Sequence, residues 1–261
     1  MYALNTPIQA VDPDGNLVIF INGNHFGEGA IGYEEWRKGT NTYNWQGSKD
    51  YWNSNGRSFD KTVMNQLGDH KSIYRDGASG GMFGFNSDNP VKVNTANGRV
   101  NSGYAQGKKD AATIIKNLAR DKTSGEIVET IKIITHSMGG AFGKGYVKAL
   151  KEYIETLTVN QQKQIKITLV ADFDPFQAGS LKADSDIFTQ QFSHIKKDGR
   201  KDSDGMGWLA NERQKGLNDH NYYEDSKEAA HSIFTFFNDI KKLQEGNYEW
   251  NGSSWICKNC K

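Results

Sequence analysis

Thr135, His136, Ser137, Met138, Gly139 and Gly140 follow one another directly after a mostly apolar run, Ile131-Lys132-Ile133-Ile134, and directly before an amphipathic one. A serine at the end of a buried strand, on a tight turn that opens a helix, can act as a nucleophile. The turn exposes its hydroxyl, the small residues after it let helix and strand approach, and the helix N-terminus favours developing negative charge. Acyl transfer by such a serine needs a general base, a carboxylate to orient that base, and backbone N–H groups for the oxyanion. The N–H of Met138, directly after the serine, is the first expected oxyanion donor. A second is expected from the loop after an earlier strand, where Phe20 and Ile21 lead into Asn22, Gly23, Asn24, His25, Phe26 and Gly27. A plain N-capping serine is the simpler reading of Ser137, but a cap requires neither the preceding strand nor the two glycines.

The elements that must hold these groups can be read from periodicity. Leu17 to Ile21 is a continuous apolar run, as expected of a strand covered on both faces. His70 to Arg75 suggests another strand. Ala111, Ile114, Ile115 and Leu118 predict a helix over 107–120, and Glu126 to Ile134 a strand. Phe142, Tyr146, Val147, Leu150, Tyr153, Ile154 and Leu157 line one helix face. Ile165 to Ala171 and Phe188 to Ile195 read as further strands, and Ile233, Phe236, Phe237, Ile240 and Leu243 as a final helix. Strands alternating with helices imply an α/β fold, a mostly parallel sheet with helices on both faces. The stretch 33–101 is aromatic, Gly- and Asn-rich and weakly periodic, and is expected to hold a cap or substrate-binding insertion.

Together these features resemble the lipase-like α/β-hydrolases. The order of elements matches over most of residues 17–243, and the match is motif-grade at the serine turn. One departure is Thr135, where the usual G-x-S-x-G pattern has glycine. The resemblance implies that the second oxyanion donor is the N–H of Asn24, with His25 next, and that Asn22 stands where those enzymes have histidine. It implies the chain order serine, acid, histidine. His231, just ahead of the final helix, is then the base, with His220 the runner-up. Asp198, in Phe192 to Asp198, resembles the strand-H-x-x-D of fungal-type lipases with one extra residue. Asp174, in Phe173 to Phe176, resembles the D-P of pancreatic-type lipases. Asp198 is favoured over Asp174, and Asp172 trails both. Such an enzyme needs no metal or organic cofactor.

Residues Tyr2 to Gly15 resemble the closing segment of the Rhs/YD-repeat core of large bacterial surface and secreted proteins. In those proteins a variable effector domain follows. The expected organisation is a core tail over 1–15, a hydrolase domain over 16–245 and a C-terminal tail over 246–261. The resemblance implies a secreted or delivered antibacterial effector, with a lipid or acyl-ester substrate and a cognate immunity protein as partners. Two alternatives stay open: an esterase, thioesterase or amidase with a non-lipid substrate, and a non-catalytic binding module. The latter would use Trp36, Trp45, Trp52, Tyr248, Trp250 and Trp255 as its contact surface.

Composition narrows the field further. A net charge of +1 gives no electrostatic reason to expect nucleic acid as a partner. No run approaches the roughly 18–20 apolar residues of a membrane helix, and the first residues lack the basic start and apolar run of a signal peptide. Cys257 and Cys260 form a lone C-x-x-C, too few ligands for a structural zinc site; a loose polar tail with an adventitious disulfide is expected there.

Overall fold

The computed structural model describes residues 17–23, 51–54, 56–77, 95–194, 212–225 and 231–260. Its centre is a six-stranded sheet of β1 (Leu17–Asn22), β4 (Lys71–Asp76), β5 (Ile131–His136), β6 (Ile167–Phe173), β7 (Thr189–His194) and β8 (Tyr222–Asp225). The order is β4-β1-β5-β6-β7-β8, and every pairing is parallel. β1 and β5 are buried along their whole lengths. Their alternate side chains feed two cores, as the two-residue repeat of a strand requires. Leu17, Ile19, Ile21, Ile131 and Ile133 face one, while Val18, Phe20 and Ile134 face the other.

Right-handed crossovers decide which helices cover which face. From β1 the chain passes a short hairpin, β2 (Asn53–Ser54) and β3 (Arg57–Ser58), and helix α1 (Phe59–Leu67) before reaching β4. It then crosses back over β1, through α2 (Ala96–Lys116), to β5. The two crossovers run in opposite directions, so α1 and α2 lie on opposite faces. α3 (Gly139–Glu155) continues in the second direction and shares the face of α2. After the short α4 (Val159–Gln162), strands β6, β7 and β8 extend the sheet. A 3-10 helix, Ile233–Lys242, then closes the α1 face through Ile233, Phe236 and Ile240. The strand order thus reverses between β1 and β5, which is where an open parallel sheet forms its crevice.

Helices α2 and α3 meet backbone to backbone. A Cβ on Gly145 would lie 1.8 Å from the Val100 carbonyl oxygen, and one on Gly103 would lie 1.9 Å from that of Phe142. This explains why α2 starts well before the expected 107. Its first turns carry Gly98 and Gly103, poor helix formers that serve the helix contact rather than propensity.

Two further expectations change. Within 33–101, residues 51–54 and 56–77 form a hairpin, a helix and the sheet-edge strand β4, and 95–101 open α2; residues 33–50, 55 and 78–94 lie outside the described residues. Trp52 is fully buried, packing on Phe20 and Phe59, so it belongs to the core and not to a contact surface. The C-terminal segment is also no loose tail. β9 (Tyr248–Trp250) and β10 (Trp255–Cys257) form an antiparallel hairpin, and Cys257 is disulfide-bonded to Cys260. The hairpin docks because Tyr248 and Trp255 have polar tips that find main-chain partners. The Tyr248 hydroxyl accepts the Phe188 N–H at 2.8 Å, and the Trp255 indole N–H donates to the Gln162 carbonyl at 3.3 Å. The proposed core tail, 1–15, lies outside the described residues.

Candidate active site

Ser137 follows β5 directly and precedes α3, and its φ is +56°. A non-glycine residue held in the left-handed region costs roughly 1–3 kcal/mol and persists only where surrounding bonds impose it. Here the Ser137 N–H donates to the Phe173 carbonyl at 3.0 Å. The Ser137 carbonyl accepts N–H groups from Gly140 at 3.1 Å and Phe176 at 3.0 Å. The turn is therefore fixed by β6 and by the loop after it. A Cβ on Gly139 would lie 2.3 Å from the Ile21 carbonyl oxygen, so only glycine lets α3 start against the end of β1.

Thr135 fits where the usual pattern has glycine because its surroundings make room. Its hydroxyl donates to the buried Asp172 carboxylate at 2.6 Å, and its methyl group rests over Gly143, where a Cβ would come within 2.8 Å. Asp172 also accepts from Lys144 at 2.6 Å and Gln214 at 2.7 Å. With its oxygens so engaged, Asp172 braces the turn from below.

Asp174 sits at the end of β6 with φ +40°. One carboxylate oxygen accepts the His194 N–H at 3.0 Å; the other lies 3.4 Å from Nδ1 of His231. That separation falls outside hydrogen-bond geometry. Catalytic hydrogen bonds are often long before substrate arrives and tighten in the complex. Asp174 is buried, and His231 keeps its side chain 14% exposed. The structure thus brings together Asp174 and His231, in the chain order serine, acid, histidine. Asp198 lies outside the described residues. His220 is exposed in a short 3-10 turn, its N–H donating to the Asn218 side chain at 3.1 Å.

The His231 ring stacks on that of His136, with centroids 4.9 Å apart and planes at 28°. His136 is buried, and burial together with the neighbouring His231 and His194 holds its imidazole well below the usual histidine range. It is therefore neutral near pH 7. Its Nδ1 is hydrogen-bonded to the Tyr51 hydroxyl. Burial pushes the Tyr51 phenol up, so it too stays protonated. Sequence reasoning missed Tyr51, which had no motif around it; only the packing of 51–59 under the sheet brings it to the serine.

Beside the serine stands Gly23. A Cβ there would lie 2.5 Å from the Ser137 Cβ, 3.0 Å from its Oγ and 3.0 Å from the Tyr51 hydroxyl. The buried Asn22 side chain holds this corner, donating to the Gly23 carbonyl at 2.7 Å and to Asp76 at 3.1 Å. The loop that follows, including Asn24 and His25, lies outside the described residues. Among the described residues no acceptor takes the N–H of Met138, which sits at the N-terminus of α3. An N–H at a helix N-terminus suits a developing oxyanion.

His136, Asp174 and His231 also offer three ligand atoms within 4.8 Å of one another. Away from this corner, Trp250, Trp255 and Tyr248 line a groove of about 180 Å³ with Lys151 and Lys166. Among the described residues no helix is long and apolar enough to cross a membrane. Compared with protein-family models, curated proteins and solved structures, the chain matches none.

Proposed function

We propose that the protein is a serine ester hydrolase in which Ser137 is the nucleophile, His231 the general base and Asp174 its carboxylate partner. The observation that carries this reading is the +56° φ of Ser137 on a strand–turn–helix, with His231 of the Asp174–His231 pair stacked on His136, the residue before the serine. In the reaction His231 takes the Ser137 hydroxyl proton as Oγ attacks the ester carbonyl. Asp174 keeps the imidazole in the right tautomer and stabilises its charged form. The oxyanion is held by the Met138 N–H and by a second donor from the loop after Gly23, for which Asn24 is the proposal. His231 then returns the proton to the leaving alcohol, and water hydrolyses the acyl-enzyme by the same route.

A lipid or phospholipid ester is the proposed substrate. The support is the aromatic content of the sequence over 33–50 and 78–94. Delivery as an antibacterial effector with an immunity partner is supported by the Rhs-like residues 2–15 alone. Intact mass after treatment with a fluorophosphonate tests the chemistry: one adduct is expected on the wild type and none on Ser137→Ala. A folded wild-type protein that takes up no adduct would overturn the reading.

A further inference from the structure

We infer that His136, Asp174 and His231 form a zinc site whose occupation switches the proposed hydrolase off. Three observations converge. The ligand atoms lie within 4.8 Å of one another in a buried corner. Two imidazole nitrogens, Nε2 of His136 and Nδ1 of His231, are buried there without a hydrogen-bond partner. The 3.4 Å between Nδ1 of His231 and the Asp174 carboxylate is long for an N–H···O bond. It is close to the edge of a tetrahedron around Zn²⁺, roughly 3.3 Å for ligand bonds of about 2.0–2.1 Å.

The chemistry of the donors selects the ion. Two neutral imidazoles and one carboxylate suit Zn²⁺, whereas Mg²⁺ and Ca²⁺ prefer oxygen ligands throughout. His136 is prepared for the role. With its Nδ1 tied to the Tyr51 hydroxyl, Nε2 is left for the metal, and a fixed outer partner is what orients a ligating histidine. His231 is the least buried of the three. The fourth position is left to water.

Inhibition follows from proton bookkeeping at His231. In the triad its Nδ1 carries the proton toward Asp174 and its Nε2 lone pair accepts from Ser137. Zinc on Nδ1 moves that proton to Nε2, which can then no longer take one from the serine. This half rests on the reading of Ser137, His231 and Asp174 as a triad; the binding half does not.

Equilibrium dialysis of the full chain against zinc chloride at neutral pH tests the binding. One zinc per chain is expected for the wild type, for Ser137→Ala and for the Cys257→Ser, Cys260→Ser double variant, which removes the thiols as competitors. At least roughly tenfold weaker binding is expected for His136→Gln and His231→Gln, and about tenfold for Tyr51→Phe. His231→Gln, at a partly exposed position, carries the test if His136→Gln fails to fold. Ester hydrolysis should fall over the same zinc range and return with EDTA. No stoichiometric zinc, or binding that His231→Gln leaves unchanged, overturns the site. Zinc bound with hydrolysis unaffected overturns the switch. If the protein hydrolyses no ester, dialysis still reads the site.

Discussion

The Asp174 carboxylate stands 3.4 Å from Nδ1 of His231, and its other oxygen is held by the His194 main chain at 3.0 Å. β6 and β7 together therefore aim Asp174 at the histidine, and the 3-10 helix behind His231 fixes the other side. His194 itself stacks on Phe236 of that helix at 4.1 Å and bonds Thr235. The Asp174 carboxylate is thus held in place before any substrate is present, while its contact with His231 is still long.

Asp174→Asn should lower kcat for ester hydrolysis by roughly a thousandfold or more, because the amide favours the wrong imidazole tautomer. Asp172→Asn should act differently. It loosens the contacts to Thr135, Lys144 and Gln214, so its effect falls on thermal stability first. Steady-state kinetics and melting curves on the two variants separate the roles. Equal kinetic losses would end the case for Asp174.

Burial of neutral His136 makes stability depend on pH. Its folded-state pKa lies well below the ordinary 6.5, so below pH 6.5 the unfolded chain binds a proton that the folded one refuses. The contribution is complete above pH 6.5 and is lost as pH falls toward the folded value. The slope approaches about 1.4 kcal/mol per pH unit from this group. Urea melts between pH 7.5 and 5 should show this loss, and His136→Asn should flatten it.

Gly145→Ala tests the helix contact by sign. Propensity alone predicts a gain of up to about 1 kcal/mol for Ala over Gly inside a helix. The added Cβ would meet the Val100 carbonyl at 1.8 Å, and the forced shift of α2 should cost about 1–3 kcal/mol. A stabilised variant in chemical denaturation would refute the close approach.

Lys132 is a fully buried cation between Asp69 at 3.1 Å and Glu245 at 3.3 Å. Asp69→Ala should destabilise by about 3–5 kcal/mol, since it leaves the ammonium short of its buried partner. Replacing both by apolar residues, Lys132→Met with Asp69→Leu, should recover most of that loss. Denaturant midpoints of the single and double variants decide it.

Hydrolysis should rise with acyl length if the substrate is a lipid ester. Each methylene buried contributes roughly 0.8 kcal/mol to binding. An optimum at acetate across an ester series would favour the non-lipid esterase.

Periodicity was enough for the fold class and for five of the six strands; β8 (Tyr222–Asp225), a short polar edge strand, carries no apolar run by which to read it. The uninterrupted apolar run Leu17–Ile21 and the isoleucines around Lys132 in Ile131–Ile134 cannot sit at a surface, and helical spacing between them leaves a covered parallel sheet as the natural arrangement. The serine turn was legible for the same kind of reason, since it is local: strand, Ser137, Gly139 and Gly140, helix. What the chain could not show by itself was everything that depends on which distant segments meet. Asp174 and Asp198 were both chemically suitable, and only the described fold places one of them, Asp174, against His231. Tyr51, Trp52 and Phe59 looked like a loop because aromatics spaced for a core under a sheet edge carry no helical or strand period. The hairpin from Tyr248 to Cys257 looked like a loose tail for a related reason. Its few apolar residues dock through single polar tips onto Phe188 and Gln162, contacts between segments far apart in the chain that no local pattern encodes.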